Sequence, residues 1–246
     1  MSLKDRTHEE IFKFKEGKPL DYFLKVARCM LTEKGTSPQI RGELGECVLL
    51  IMLEDFIKKN PSMCKDWILS QGLILADLAK GGKYLTELDV TLFTPRRIYL
   101  FECKSYKGEK VLTGKGFLNT RTSKGGLKPH LDVWDQHFKH FQALLRYIAQ
   151  FLTVPISQVK PCKIVFFDFS QGSLEDQREE KFKKRFPVVD ENSLYSIFSD
   201  YDELPDCWEM SYIRKVVKML DEHKETLTKS HRSYVTDLRR SRNSSR

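Results

Sequence analysis

YLTELDVTLFTPRRIYLFECKSY, running from Tyr84 to Tyr106, is the stretch that decides the fold. Leu88, Val90 and Leu92 alternate with Glu87, Asp89 and Thr91, while Ile98, Leu100, Glu102 and Lys104 fall on one face of the run that follows. A period of two is the pattern of a strand, so both halves read as β-strands. Between them, Thr94-Pro95-Arg96-Arg97 has Pro at the second turn position and is short enough to close an antiparallel hairpin. With the register symmetric about Pro95 and Arg96, paired positions sum to 191 and Asp89 faces Glu102. Directly opposed side chains hold their Cβ atoms roughly 4.5 to 5.5 Å apart, where like charges repel unless a cation lies between them. A divalent ion that takes one or two carboxylates, keeps waters and accepts phosphate oxygens meets this need, so Mg²⁺ is the expected cofactor, with Mn²⁺ as its substitute. Lys104 points the same way as Glu102, placed to orient a water or to offset charge growing on a phosphate.

The Glu-x-Lys triplet alone proves little, because Glu16/Lys18, Glu179/Lys181 and Glu222/Lys224 repeat it. Those copies lie in polar segments, whereas Glu102/Lys104 ends an apolar strand that follows an acid-bearing one. The competing reading is an ion pair of Lys104 with Asp89 or Glu102 on a solvated sheet face.

Upstream, Leu49, Leu50, Leu53 and Ile57 follow Glu46 at helical spacing, which predicts a helix over Gln39 to Asn60 with Glu46 at the head of its apolar stripe. An inward carboxylate is costly unless paired, so Glu46 either reaches a cation at a wet cleft or rests on the helix N-terminal dipole. Glu43, one turn earlier, is the alternative ligand.

Gly42-Glu43-Leu44-Gly45-Glu46, Glu87-Leu88-Asp89, Glu102-Cys103-Lys104 and Gln136 opening a later helix together resemble the nuclease-related (NERD) domain of the PD-(D/E)XK, restriction-endonuclease-like superfamily. The resemblance covers Ile40 to Gln150. It implies an α/β fold with a three-layer core, a central mixed β-sheet flanked by helices. It also implies a metal-dependent nuclease that hydrolyses phosphodiester bonds, as a DNA endonuclease rather than an RNA enzyme. In that reading Asp89 and Glu102 hold the metal with the Cys103 backbone carbonyl approaching it, Lys104 positions water, Glu46 completes the acid cluster and Gln136 orients water or phosphate. Two features depart from the pattern: the Pro129 to Gln136 stretch is longer than expected, and Cys103 stands where Val is usual. The alternative is a catalytically inactive nucleic-acid-binding module acting through a partner.

With 246 residues the chain is long enough to bury a sizeable core. No apolar run approaches the ~20 residues of a membrane span, and Met1 to Pro19 lacks the apolar stretch of a signal peptide, so an intracellular protein, cytoplasmic or nuclear, is expected. The six cysteines are far apart and show no zinc spacing, as for reduced thiols. Net charge is +8. In 229–246, six Lys and Arg face only Asp237, the composition of a disordered tail that holds nucleic acid, solubilises, or serves as a nuclear address. A glycine-rich loop after the strands carries Lys107, Lys110, Lys115, Arg121, Lys124 and Lys128 against Glu109 alone, and is expected to hold a phosphate backbone. Double-strand cleavage with one site per chain would require a homodimer.

Residues 1–38 read as a helical lead-in, 39–228 as the nuclease-like domain and 229–246 as the tail. Asp132 to Leu152 is predicted as a helix with Trp134, Phe138, Phe141, Leu145 and Ile148 inward and Gln136 and His140 on another face, His140 lying at the surface or behind the site. Lys163 to Phe169 is a buried strand, Glu175 to Lys184 an exposed helix, and Trp208 to Thr226 a closing amphipathic helix.

Overall fold

The computed structural model describes residues 3–32, 36–76, 85–153 and 162–222, so the predicted tail lies outside the described residues. The chain divides into two compact units, the first made of Met1–Lys65, Phe101–Gln136 and Lys163–Leu204, the second of Asp66–Leu100, His137–Cys162 and Pro205–Arg246. Strands hydrogen-bond in the order β1-β2-β3-β7-β9 in one sheet and β6-β5-β4-β8 in the other, where β1 is Ile68–Ala76, β2 Leu85–Phe93, β3 Ile98–Lys104, β4 Lys110–Leu112, β5 Phe117–Arg121, β6 Leu127–Asp132, β7 Cys162–Asp168, β8 Leu174–Asp176 and β9 Val188–Val189.

In the second unit β1 and β2 run antiparallel, with Gln71 paired to Val90 and Leu73 to Leu88. Between those pairs Gly72 adopts a left-handed φ of 59°, so the neighbour that the register gives Asp89 carries no side chain. Across the turn the Thr94 amide donates to the Arg97 carbonyl at 3.2 Å, which starts the hairpin at the pairing sum of 191 that the sequence reading uses. The amides of Cys207 and Trp208 both donate to the Pro95 carbonyl at 2.8 Å, tying that turn to the last described helix, α6 (210–222). The core here joins Leu73, Leu88, Ile98 and Leu100 of the strands to Leu144 and Ile148 of α4 (Val133–Leu152) and to Ile213, Val216 and Leu220 of α6.

Helix α4 keeps the later part of the predicted inward face and departs from it at Phe138. Phe138 is 53 % exposed, whereas His137 and His140 are buried, so His140 is not a surface residue. Of the predicted inward residues, Leu145 and Ile148 are buried and Phe141 packs partly buried against the core, with Ala143, Leu144 and Ala149 buried beside them. The side chain of Trp134 lies outside the described residues.

In the first unit α1 (Leu3–Lys15) and α2 (Leu20–Thr32) form the predicted lead-in, and α2 buries Phe23, Ala27 and Leu31 at four-residue spacing. Helix α3 (Pro38–Lys59) starts on Ser37, whose hydroxyl accepts from the Ile40 amide at 3.1 Å, with Pro38 in the first turn where its missing N–H costs nothing. Every residue from Cys47 to Leu53 is buried, so this helix is enclosed on all sides rather than along one stripe. Strand β7 pairs parallel with β9, Phe166 opposite Val188.

The second sheet occupies the segment predicted as a flexible loop. β4 pairs antiparallel with β5 and β5 with β6, while β4 pairs in parallel with β8, and Leu112, Leu118 and Phe166 form its core. The predicted 175–184 helix is likewise divided: β8 takes its first residues, Arg178 is buried, and only α5 (Glu180–Arg185) is helical.

Candidate active site

Strand β3 changes character along one face. Ile98 and Leu100 enter the second unit's core; two and four residues on, Glu102 and Lys104 point to the same side by strand alternation. Glu102 is 1 % exposed, and its Oε1 accepts from the Lys104 ammonium in a short ion pair and from Gln136 Nε2 at 2.8 Å. A carboxylate this deeply buried is costly without partners, and the lysine charge and the amide supply them. The predicted residues Glu102, Lys104 and Gln136 are therefore brought together, the last from the first turn of α4.

The other face of β3 meets α3. A Cβ on Gly45 would lie 2.4 Å from Ser105 Oγ and 2.8 Å from Cys103 Sγ, so only glycine lets this helix approach the strand so closely. Gly42, by contrast, would meet nothing within 4 Å. Glu46, the residue after Gly45, is half-buried on that helix. Glu43, the alternative ligand, is the buried one: its Oε1 accepts from Gln39 Nε2 at 2.9 Å and its Oε2 has no hydrogen-bond partner. Asp89 is half-buried on β2 in the second unit.

Among the described residues no three His, Cys, Asp or Glu side chains are gathered closely enough to hold a metal ion. An all-protein cage is thus absent from these residues. Hard carboxylate oxygens beside a lysine, without a soft or imidazole donor set, fit an ion of the Mg²⁺ or Mn²⁺ class that binds through one or two carboxylates and keeps its waters.

Support for Lys104 comes from residues that sequence reasoning missed. Its carbonyl accepts from the Phe169 amide and from the Ser170 hydroxyl, both at 3.2 Å, and Ser170 Oγ in turn accepts from the Tyr106 amide at 2.8 Å. Burial pushes the Tyr106 phenol up, the Lys104 charge opposes this and the Glu102 charge adds to it, so the phenol stays protonated at neutral pH. The signal in the sequence was faint: a polar Asp168-Phe169-Ser170 step directly after a buried strand.

The basic residues separate into groups. Lys107, Lys115, Lys124 and Lys128 are exposed, and the apolar Phe117 of β5 and Leu127 of β6 are exposed as well. Arg121 is exposed but engaged with Glu175 at 2.8 Å and Glu109 at 3.6 Å. Lys110 is not available to a phosphate backbone: it is 1 % exposed and pairs with Asp168 at 3.5 Å, because β4 packs against β8 and turns this side chain inward.

A mixed α/β fold with a mixed central sheet flanked by helices, and a Glu-x-Lys pair at the end of a sheet strand, define a protein of the restriction-endonuclease-like, PD-(D/E)XK class. The family model of the nuclease-related domain matches residues 41–167. The chain belongs to that family. No curated protein and no solved structure matches it. No described helix is long and apolar enough to cross a membrane.

Proposed function

We propose that this chain is a metal-dependent nuclease that hydrolyses phosphodiester bonds, acting on DNA as an endonuclease. The observation that carries the reading is the buried Glu102 carboxylate bound to Lys104 and Gln136 within a nuclease-related domain. By the family motif Glu102 and Asp89 would hold the ion together with the Cys103 backbone carbonyl, and Glu46 would complete the acid set. A bound divalent ion makes its water acidic and offsets charge on the phosphate. Lys104 donates hydrogen bonds to the attacking water or to the phosphate oxygen that gains charge, and Gln136 orients it. Lys107, Lys115, Lys124 and Lys128 hold the backbone by charge.

A second reading has one observation in its favour: the same Glu102 oxygen already receives both Lys104 and Gln136, a closed arrangement that also suits a catalytically silent nucleic-acid-binding module. Incubating plasmid, single-stranded DNA and RNA with protein and Mg²⁺ or Mn²⁺ separates the two. Cleavage should fall about 100- to 1000-fold in Lys104→Ala and Asp89→Ala. Binding without cleavage favours the silent module, and cleavage at the wild-type rate in both variants overturns the site.

A further inference from the structure

Every residue from Arg121 to Pro129, where β5 turns into β6, is exposed. A strand packed on a core buries alternate side chains, so exposure without alternation marks a two-stranded ribbon that has left its sheet. The departure has a local cause. Leu118 pairs with Leu131 but Asn119 with Pro129, so His130 is an extra residue on β6, and such a bulge bends its strand and sharpens the twist. Leu118 and Asn119, at the bulge, are the last buried residues of β5. Beyond it the ribbon is held in shape by its own bonds. The Thr122 amide donates to the Gly126 carbonyl at 2.8 Å, the Gly125 amide donates to the Thr122 carbonyl at 2.9 Å, and Gly125 takes the left-handed φ of 79° that closes the turn. At the base, the Arg121 amide donates to the Glu109 carbonyl at 2.8 Å and its guanidinium reaches Glu175 at 2.8 Å.

Charge follows the same path. No Asp or Glu occurs between Glu109 and Asp132, a stretch that carries five Lys and Arg residues. Lys110 is buried and Arg121 is engaged at the base, while Lys124 at the turn and Lys128 on the return strand face solvent. Leu127, beside Lys128, is 48 % exposed and adds an apolar surface between the two cations. A segment that only solvates the fold needs neither a bulge that swings it outward nor hydrogen bonds that stiffen it. An arm that enters a polyanion needs both, because a preformed shape loses less freedom on binding.

We infer that this ribbon enters the major groove of duplex DNA, with Lys124 and Lys128 on phosphates and Leu127 against base edges. Dimensions choose the partner. Two paired strands lie roughly 4.8 Å apart, and the major groove of B-form DNA, about 12 Å wide and 8.5 Å deep, admits such a ribbon, whereas the minor groove, about 6 Å wide, does not. An RNA duplex has a deep, narrow major groove that excludes it, and a single strand has no groove to fill. This choice of substrate rests on the proposed nuclease function and narrows it to double-stranded DNA. The chain path joins the two sites: β6 ends at Asp132, α4 begins at Val133, and Gln136 in its first turn donates to Glu102 at 2.8 Å. A ribbon seated in the groove therefore anchors the segment that runs into the candidate active site.

Fluorescence anisotropy of the full chain with labelled duplex DNA, duplex RNA and single-stranded DNA of one sequence, in EDTA so that no strand is cut, tests the arm. Duplex DNA should bind about 10-fold or more tighter than duplex RNA. Leu127→Asp, which sets a negative charge inside the groove, and Lys128→Glu should each weaken duplex DNA about 10- to 100-fold. Tyr212→Asp makes the same change of charge as Leu127→Asp at a residue of α6 that is 46 % exposed, and should bind like wild type. Should Leu127→Asp lose its cooperative unfolding transition, Lys128→Glu carries the test. Methyl green, which occupies the major groove, should displace the protein from duplex DNA, and netropsin, which occupies the minor groove, should not. The ribbon is overturned as a groove-binding arm if duplex RNA binds as tightly as duplex DNA, if netropsin displaces the protein and methyl green does not, or if Leu127→Asp and Lys128→Glu both bind like Tyr212→Asp. Failure to bind any nucleic acid also overturns it, and leaves a protein partner as the occupant of this surface. Duplex binding in the expected pattern without cleavage in Mg²⁺ or Mn²⁺ overturns the nuclease reading alone, and cleavage by a protein whose two ribbon variants keep wild-type affinity overturns the ribbon alone.

Discussion

Gly42 and Gly45 stand three residues apart in α3, yet alanine should act oppositely at the two positions. In a helix interior, glycine is worse than alanine by about 0.5 to 1 kcal/mol, through its greater freedom in the unfolded chain. Gly42 has nothing within 4 Å of its missing Cβ, so Gly42→Ala should gain about that amount. At Gly45 the added methyl meets Ser105 Oγ at 2.4 Å and Cys103 Sγ at 2.8 Å, both closer than packed side chains come. Forcing a methyl into such a contact costs about 1 to 3 kcal/mol. Less the helix gain, the net loss for Gly45→Ala is about 1 to 2 kcal/mol. For a chain of this size each kcal/mol moves Tm by about 2 to 4 °C, so Gly45→Ala should melt roughly 2 to 8 °C lower and Gly42→Ala a few degrees higher.

Differential scanning calorimetry on the two single variants and on Gly45→Ala/Ser105→Ala checks the cause. Removing the Ser105 hydroxyl, which has no hydrogen-bond partner among the side-chain atoms enclosed there, should restore more stability in the Gly45→Ala background than it gives alone. Cys103 and Ser105 flank Lys104, so nuclease activity should fall and recover with the melting temperature. A Gly45→Ala protein as stable as Gly42→Ala would refute the close approach of α3 to β3.

Other variants test the buried charges and the basic surface. Lys110→Met should cost about 3 to 5 kcal/mol near neutral pH, measured by urea unfolding, because it leaves Asp168 buried without its cation. Burial raises Asp168 above its ordinary 3.8 and Lys110 opposes that rise, so without Lys110 the folded value climbs further. The variant's stability is then fully present below 3.8 and lost as pH rises through the higher folded value, and its deficit should be smaller at pH 4 than at pH 8. Arg178→Ala should also cost about 3 to 5 kcal/mol by thermal unfolding, since the 4 %-exposed arginine holds Asp176 and the Phe186 carbonyl at 2.9 Å. Replacing Lys124 and Lys128 by alanine should flatten the plot of log affinity for duplex DNA against log salt by about 0.9 for each lysine that touches a phosphate, with no change in Tm.

The parts of the fold carried by local period were legible. The hairpin, the helical span of α3 and the buried β7 each follow from spacing within one segment, though the enclosure of α3 on all sides does not, and Glu102 stood out because an acid ending an apolar stripe has few reasons to be there. What failed depended on partners distant in sequence. Lys107 and Lys110 look alike in a glycine-rich basic run, but β4 pairs with β8, over sixty residues later, and buries only Lys110. Short strands of three to six residues with lysines and glycines give no clear alternation, so β4, β5 and β6 read as a loop. On α4 the period placed Leu145 and Ile148 inward, but near the helix start apolarity misled: Phe138 is exposed while His137 and His140 are buried.

The same distinction explains how the candidate site is held. Its chemistry is local: Glu102 and Lys104 are two residues apart on one strand. Its position is not, since the backbone of Lys104 is fixed by Phe169 and Ser170, and the carboxylate of Glu102 by Gln136. A substitution at Ser170 removes no charge and no metal-ligand candidate, yet it frees one donor bond to the Lys104 carbonyl and leaves the Tyr106 amide without its acceptor. Ser170→Ala should therefore lower cleavage by shifting Lys104 rather than by deleting a reacting group. If Ser170→Ala cleaves at the wild-type rate, the Lys104 carbonyl does not need this hydroxyl and the Phe169 amide alone fixes the strand end.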